Sequence, residues 1–415
     1  ADAPQHLPGI EAQPSGGAIG GQRIGHVVKP RVKDFICLTS HPEGCKENVR
    51  RQIEYVKSQP KVELGKRVLV LGASTGYGLA SRICATYASG ASTIGVIFDK
   101  PAHGKRTATA GWYNTAAFEE FAKNDGYYAK TINGDAFSQA IKEKTIELIK
   151  KDLGKIDMVV YSLAAPRRTT ADGTMYSSVL KTVDEPFTAK TLNLKTNELT
   201  EATLPPATPE EVEATIKVMG GEDWADWMHA LKDADVLTEN ACTVAYSYIG
   251  SKITYPIYYE GTIGAAKQHL YKTAETLRQE GFNAIISVNK ALVTQSSSAI
   301  PIVPLYVAVM YRVMKDKNVH EGTIEQMYRL WHEYLSQPQP KVDDEHRIRI
   351  DDLEMRDDVQ NTIFEYWDKV TTENLTQYAD VDGYWNDFYN LFGFGFDNVD
   401  YDADVNPEVN LDLVE

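Results

Sequence analysis

The sequence predicts an α/β fold, a doubly wound parallel sheet with an inserted region and extra C-terminal helices. Three observations predict it. Short apolar runs alternate with helical patterns of ~10–15 residues, which is the signature of βαβ units. The turn "LGASTGYGLA" follows the first such run and opens a helix. After a long interruption, two further apolar runs return, "CTVAYSYIG" and "FNAIISVNKALVT".

Taken in order, 1–26 reads as a flexible arm. "HVVKPRVKDFICLTS" reads as a short extended stretch, and "PEGCKENVRRQIEYVKSQ" has helical spacing. Residues 68–71 are continuously apolar, as expected of a strand buried on both faces. The helix of "GYGLASRICATYASG" comes next, then a second strand in "ASTIGVIFDK", a helix in "GWYNTAAFEEFAKNDG" and a third strand in "YYAKTINGDAF". The helix "SQAIKEKTIELIKKDLG" leads to the fourth strand, "KIDMVVYSLAAP". Residues 167–240 form an insertion before strand five, with a hairpin region and then one helical stretch from Thr208, where Thr208 and Glu211 make a capping-box pattern. Residues 300–415 read as mainly helical. The whole of 27–415 is expected as a single domain.

The chain has 415 residues, 43% hydrophobic and 24% charged, with a net charge of -15. An acidic surface repels nucleic-acid backbones, so broad binding to them is excluded. Four irregularly spaced cysteines suit a reducing compartment. No apolar run reaches the ~20 residues that span a bilayer. "IPIVPLYVAVMYRVM" comes nearest, broken by Pro301, Pro304 and Arg312. The start lacks a signal-peptide pattern. A cytoplasmic location is expected, or an organellar matrix if the arm is the remnant of a processed leader. The acidic end, with Asp400, Asp402 and Asp404 and no Lys or Arg after Lys369, reads as a solvated edge.

The glycine turn points to a ligand. Gly72-x3-Gly76-x-Gly78 lets backbone N–H groups approach a pyrophosphate, and the helix N-terminus adds partial positive charge. This makes the fold Rossmann-type, and the spacing matches the short-chain dehydrogenase/reductase superfamily. Asp99, at the end of strand two, suits the ribose hydroxyls of NADH and repels a 2′-phosphate. Lys100, Lys105 and Arg106 keep NADPH as the second choice. Asp135 sits where an adenine ring lies in such folds, or caps the next helix.

"AYSYIGSKITYPIYYEGTIGAAKQHL" crowds tyrosines ahead of Lys267. The superfamily's usual donor lies four positions before its lysine, but that position is Ile263 here. Tyr258 lies nine before. At ~100° per residue, nine steps put two side chains on opposite faces of one helix, so Tyr258 must lie outside it. Gly261 supplies the break and Thr262 the helix start. A phenol holds its proton at neutral pH (pKa ~10), and a nearby ammonium brings that value down toward the operating range of a general acid. Tyr248 is a second candidate, and Tyr246, Tyr255 and Tyr259 read as packing.

"YSYIG", "PIYYEGTIGAAK", "GWYN", "NGDAF", "IKVMGGEDW" and "KALVTQSSSAIPIVPLY" together closely resemble the trans-2-enoyl-acyl-carrier-protein/CoA reductases with a Tyr-x8-Lys pair, over about 28–401. The resemblance implies NADH-dependent reduction of the C2=C3 bond of enoyl-CoA or enoyl-acyl carrier protein by a monomer. It implies Tyr258 as proton donor, Lys267 as its partner on the cofactor ribose, and Tyr248 at the thioester carbonyl. It places the dinucleotide against Gly72, Ala73, Ser74, Thr75, Gly76, Tyr77, Phe98, Asp99, Asp135, Ala136, Leu163, Ala164, Leu292, Val293 and Thr294. Residues 294–306 become the acyl wall and 167–240 the substrate cover, with Trp224 and Trp227 packing it or roofing the channel. A metal role for Cys37-x3-His41-x3-Cys45 lacks a fourth ligand, and Ser296, Ser297 and Ser298 lack a nucleophile elbow. A 3-ketoacyl or 3-hydroxyacyl dehydrogenase and a non-catalytic NADH sensor remain as alternatives.

Overall fold

The computed structural model describes residues 13–14, 25–33 and 36–415. Most of the arm, and with it the expectation of flexibility there, lies outside the described residues.

Seven strands, all parallel, make one sheet: β1 (Arg67–Leu71), β2 (Ser92–Ile97), β3 (Ala129–Asn133), β4 (Ile156–Tyr161), β5 (Leu237–Ser247), β6 (Asn283–Val288) and β7 (Arg347–Arg349). Their order across the sheet is β7-β6-β5-β4-β1-β2-β3. The order reverses between β1 and β4. That switch point is where ligands bind in open α/β sheets, outside the carboxyl ends of the strands.

Alternation along β1 explains why the sheet is covered on both sides. Val68 and Val70 join one core, with α1 (Pro42–Lys57), α2 (Gly76–Ser89) and α3 (Ala110–Asn124). Leu69 and Leu71 join the other, with α4 (Gln139–Asp152). Residues 167–240 hold two hairpins, Arg167–Thr169 with Met175–Ser177 and Phe187–Asn193 with Glu198–Leu204. They also hold α5 (Pro209–Met219) and α6 (Glu222–Asp233). The sequence reads these two as one helix. Gly220 is extended and breaks it, while the Thr208–Glu211 capping box forms as expected. Trp224 and Trp227 are fully buried in the second core, on Thr243 Oγ1 (2.9 Å) and Ala136 O (3.1 Å), so they pack α6 and roof nothing.

The helix α7 (Thr262–Gln279) follows β5, and the short α8 (Gln295–Ser298) follows β6. Then α9 (Val303–Asp316) runs through the first core beside α11 (Asp357–Lys369), α12 (Leu375–Tyr378) and α13 (Val381–Asn390), while α10 (Thr323–Arg329) packs there on α2. The sequence reading missed β7. Three residues give too short a pattern, although Ile348 and Ile350 are both fully buried. The acidic end is exposed at Asp400, Asp402 and Asp404, but the chain beyond it packs back. Tyr113 Oη donates to Pro407 O, Trp112 Nε1 to Val409 O, and Val414 N to Thr131 O on the outer strand β3.

Candidate active site

A cavity of about 910 Å³ opens at the switch point. Its floor is the glycine turn. Gly72 has φ +84°, and a Cβ there would sit 2.2 Å from Ser162 O at the end of β4. A Cβ on Gly78 would sit 1.8 Å from Gly72 O, so only glycines let α2 close onto the turn. Thr75 caps α2 without a side-chain hydrogen bond, leaving the first amides of that helix open to an anion. Phe98 at the mouth is 75% exposed, an apolar face of the kind a planar base covers. A nicotinamide dinucleotide therefore fits these residues.

Most of the expected site residues line this cavity: Gly72, Ser74, Thr75, Gly76, Tyr77, Phe98, Asp135, Ala136, Leu163, Ala164, Tyr248, Tyr258, Leu292 and Thr294. Ala73 instead is buried in the first core. Asp99 and Val293 line an adjoining cavity of about 650 Å³, with Lys100, Arg106 and the other side of Thr75 and Gly76. Asp99 Oδ1 accepts from Thr109 Oγ1 (2.8 Å), and burial holds its carboxyl above the usual range. Asp135 does not cap α4. It accepts from Phe137 N (3.0 Å), and Ser138 caps the helix on Ile141 N (3.2 Å).

Tyr248 follows the end of β5. Tyr258 stands in a run of turns after the 3-10 turn Lys252–Thr254, before α7 begins at Thr262. This approach is helical turn rather than extended chain. The two rings meet edge-on, with centroids 5.1 Å apart. Gly264 seats Tyr258, since a Cβ there would lie 2.2 Å from Tyr258 O and 2.0 Å from Tyr259 O. The Tyr258 hydroxyl makes no hydrogen bond among the described residues, so its proton is free to donate. Burial pushes both phenols above their ordinary value, and Lys267 is not what governs Tyr258. Lys267 is half-buried on α7, has no hydrogen-bond or ion-pair partner among the described residues, and lines neither cavity. Burial brings its amine down to about 8.

The wall of the cavity away from the glycine turn is built from 294–297, Val303, Tyr306 and Val307, with Arg167, Thr169 and Met175 reaching in from the insertion. Met175 is 62% exposed at the mouth. Ile302 carries φ +78°, rare for a β-branched residue, and Thr191 Oγ1 of the second hairpin accepts its amide (3.0 Å). Two residues were missed from sequence. Lys290 lines the cavity and is almost fully buried, its Nζ on Ala291 O (3.0 Å). A lysine inside "ISVNKALV" is the signal that was available. Glu354 lies just behind, fully buried, and nothing in "DDLEMRDD" sets it apart. Cys37 and Cys45 are buried free thiols, and His41 caps α1 on Gly44 N (3.1 Å). Among the described residues no three His, Cys, Asp or Glu side chains gather as a metal site.

The family model described as the trans-2-enoyl-CoA reductase catalytic region matches 106–336, and its NAD(P)H-binding domain matches 27–104. The chain belongs to the trans-2-enoyl-CoA reductase family. A third family model, an enoyl reductase FAD binding domain, matches 342–405. That segment packs around buried Tyr384, Trp385, Phe388 and Tyr389 and gives the two cavities at the glycine turn only Leu391 and Phe392, so its residues do not fit a flavin. Within the family, the chain is 54% identical over 391 residues to the trans-2-enoyl-CoA reductase [NADH] of Ruminiclostridium cellulolyticum, covering 93% of this chain and 99% of that protein. It is 52% identical to the enoyl-[acyl-carrier-protein] reductase [NADH] of Flavobacterium johnsoniae, over 94% of this chain and 100% of that one. The solved Treponema denticola trans-2-enoyl-CoA reductase in complex with NAD superposes with a TM-score of 0.90 at 47% identity, covering 93% and 99% of the two chains. No helix among the described residues is long and apolar enough to cross a membrane.

Proposed function

We propose that this oxidoreductase reduces the C2=C3 double bond of trans-2-enoyl thioesters, carried on CoA or acyl carrier protein, with NADH. One observation carries the reading: Tyr258 presents an unpartnered hydroxyl to the same cavity that the glycine turn floors. When bound, the nicotinamide supplies a hydride to C3 of the substrate. Electrons then move to the thioester oxygen, and the Tyr258 hydroxyl donates to that oxygen as charge develops there. Tyr248 stands beside it as the second phenol facing the carbonyl, with its own proton held on Glu354 Oε2. Lys267, on the helix that follows and outside the lining of both cavities, is kept as the ribose contact on the Tyr-x8-Lys resemblance alone. The Tyr-x8-Lys spacing spans the start of α7, and with the glycine spacing it relates the chain to the short-chain dehydrogenase/reductase superfamily. Residues 27–415 act as one unit, with 167–240 as its substrate cover. That role is supported by the Arg167, Thr169 and Met175 contacts with the cavity.

Following NADH absorbance tests this. Crotonyl-CoA is expected to oxidise NADH and acetoacetyl-CoA is not. Oxidation with the second alone means a ketoacyl dehydrogenase, and oxidation with neither means a sensor. Tyr258→Phe is expected to lower kcat by about a hundredfold or more with NADH affinity unchanged. A full rate would remove Tyr258 as donor.

A further inference from the structure

Behind the two phenols lies a buried carboxylate with no step of its own in the scheme above. Glu354 is fully buried between α9 and the loop after β6. Tyr306 Oη donates to its Oε2 at 2.6 Å and Tyr248 Oη to the same oxygen at 3.2 Å. Its Oε1 accepts from Ala291 N at 2.9 Å, one residue before the 292–294 stretch. Gln360 Nε2 donates to Glu354 O (2.8 Å) and to Tyr306 Oη (3.3 Å), which fences the group from α11. Burying a carboxyl is costly unless it is hydrogen-bonded, so a buried acid with three donors on it is a built feature.

We propose that Glu354 is the positioning residue of this active site: it fixes the Tyr248 and Tyr306 phenols against the Ala291 amide, and through the Tyr248 ring it sets where Tyr258 stands. The claim rests on the enoyl reductase reading for the role of Tyr248. The geometry is specific. One carboxylate oxygen takes both hydroxyl protons, so both rings share an anchor, and the other oxygen ties that anchor to the cofactor side of the cavity. Tyr248 then meets Tyr258 edge-on. The other charged or titratable groups felt at this cluster are Lys290 and Asp351, Tyr77 from α2, Tyr384 from α13, and Tyr258 itself.

Two variants test it. Glu354→Leu keeps the bulk and removes the anchor. Its kcat with crotonyl-CoA is expected to fall roughly tenfold or more, because small misplacement of reacting groups is costly, while NADH affinity stays within about twofold of wild type, a change of under about 0.5 kcal/mol. Glu354→Gln restores the contacts. The Ala291 amide needs an oxygen, so the NH2 falls where both phenols sit and donates to them. Most of kcat returns. With the negative charge gone, phenolate is less disfavoured, so activity is lost at lower pH than in wild type. A Glu354→Gln profile that matches wild type at alkaline pH overturns the proposal. So does a Glu354→Leu variant with full kcat, or one that loses rate only in step with NADH affinity and Tm. If wild type fails to oxidise NADH with crotonyl-CoA, the enoyl reductase reading fails separately. Ultraviolet titration of tyrosine then decides: the phenol missing in Tyr248→Phe ionises at lower pH in Glu354→Gln, and an unmoved titration overturns the contact.

Discussion

Gly264 shows how one missing side chain sets the phenol proposed as proton donor. Glycine inside a helix ordinarily costs ~1 kcal/mol against alanine, so Gly264→Ala on propensity alone would stabilise α7. The added Cβ would lie about 2 Å from two backbone oxygens, those of Tyr259 (2.0 Å) and Tyr258 (2.2 Å), and backbone cannot swing aside. The clash wins. Gly264→Ala is expected to lower Tm and to cut kcat/KM with crotonyl-CoA by about a hundredfold. Kinetics alongside thermal melts check both. At this scale the sequence was readable where geometry follows local spacing: Gly72, Gly76 and Gly78 around one turn, and Tyr258 ahead of Gly261. It was silent where partners meet only through the fold. Tyr248 and Glu354 stand 106 positions apart, and no pattern links them.

Among elements, α6 and α4 are joined by a buried ion pair. Lys142 Nζ lies 2.7 Å from Asp223 Oδ1 and also donates to Ala136 O and Phe137 O, while Tyr161 Oη donates to Asp223 Oδ2 (2.9 Å). The insertion is thereby bolted to the loop after β3 that walls the cavity. Asp223→Asn leaves the ammonium buried without its counter-charge, which costs about 3–5 kcal/mol. A large fall in Tm and weaker NADH binding are expected, the first read by calorimetry and the second by fluorescence titration. Six of the seven strands were legible as apolar runs. The seventh, β7, is held by pairing with β6 and by Arg347 on Asp343 (2.9 Å), which are tertiary facts. Reading α5 and α6 as one helix failed for a local reason, the extended Gly220.

For the whole molecule, His41 links acidity to stability. It is fully buried, and burial, with Lys29 nearby, lowers its pKa from 6.5 to about 4. The unfolded chain therefore takes up a proton below pH 6.5 that the folded chain refuses until about pH 4. Stability is full above 6.5 and falls as pH drops through that window, by an amount on the order of 3 kcal/mol. Protonation also removes the lone pair that caps α1 on Gly44 N. His41→Asn keeps a good cap and does not titrate. Its Tm is expected to fall less than that of wild type between pH 6.5 and 4, as scanning calorimetry would record.

The returning C-terminal stretch has a further consequence. Val414 occupies the outer rim of β3 through its bond to Thr131, and at the far rim β7 is only three residues long. Neither border offers another polypeptide a long ladder of vacant amides and carbonyls. Two copies that associate are therefore not expected to do so by extending this seven-stranded sheet from one into the next. Clipping 409–415 would uncover the β3 border and invite that kind of stacking, visible as larger species in light scattering.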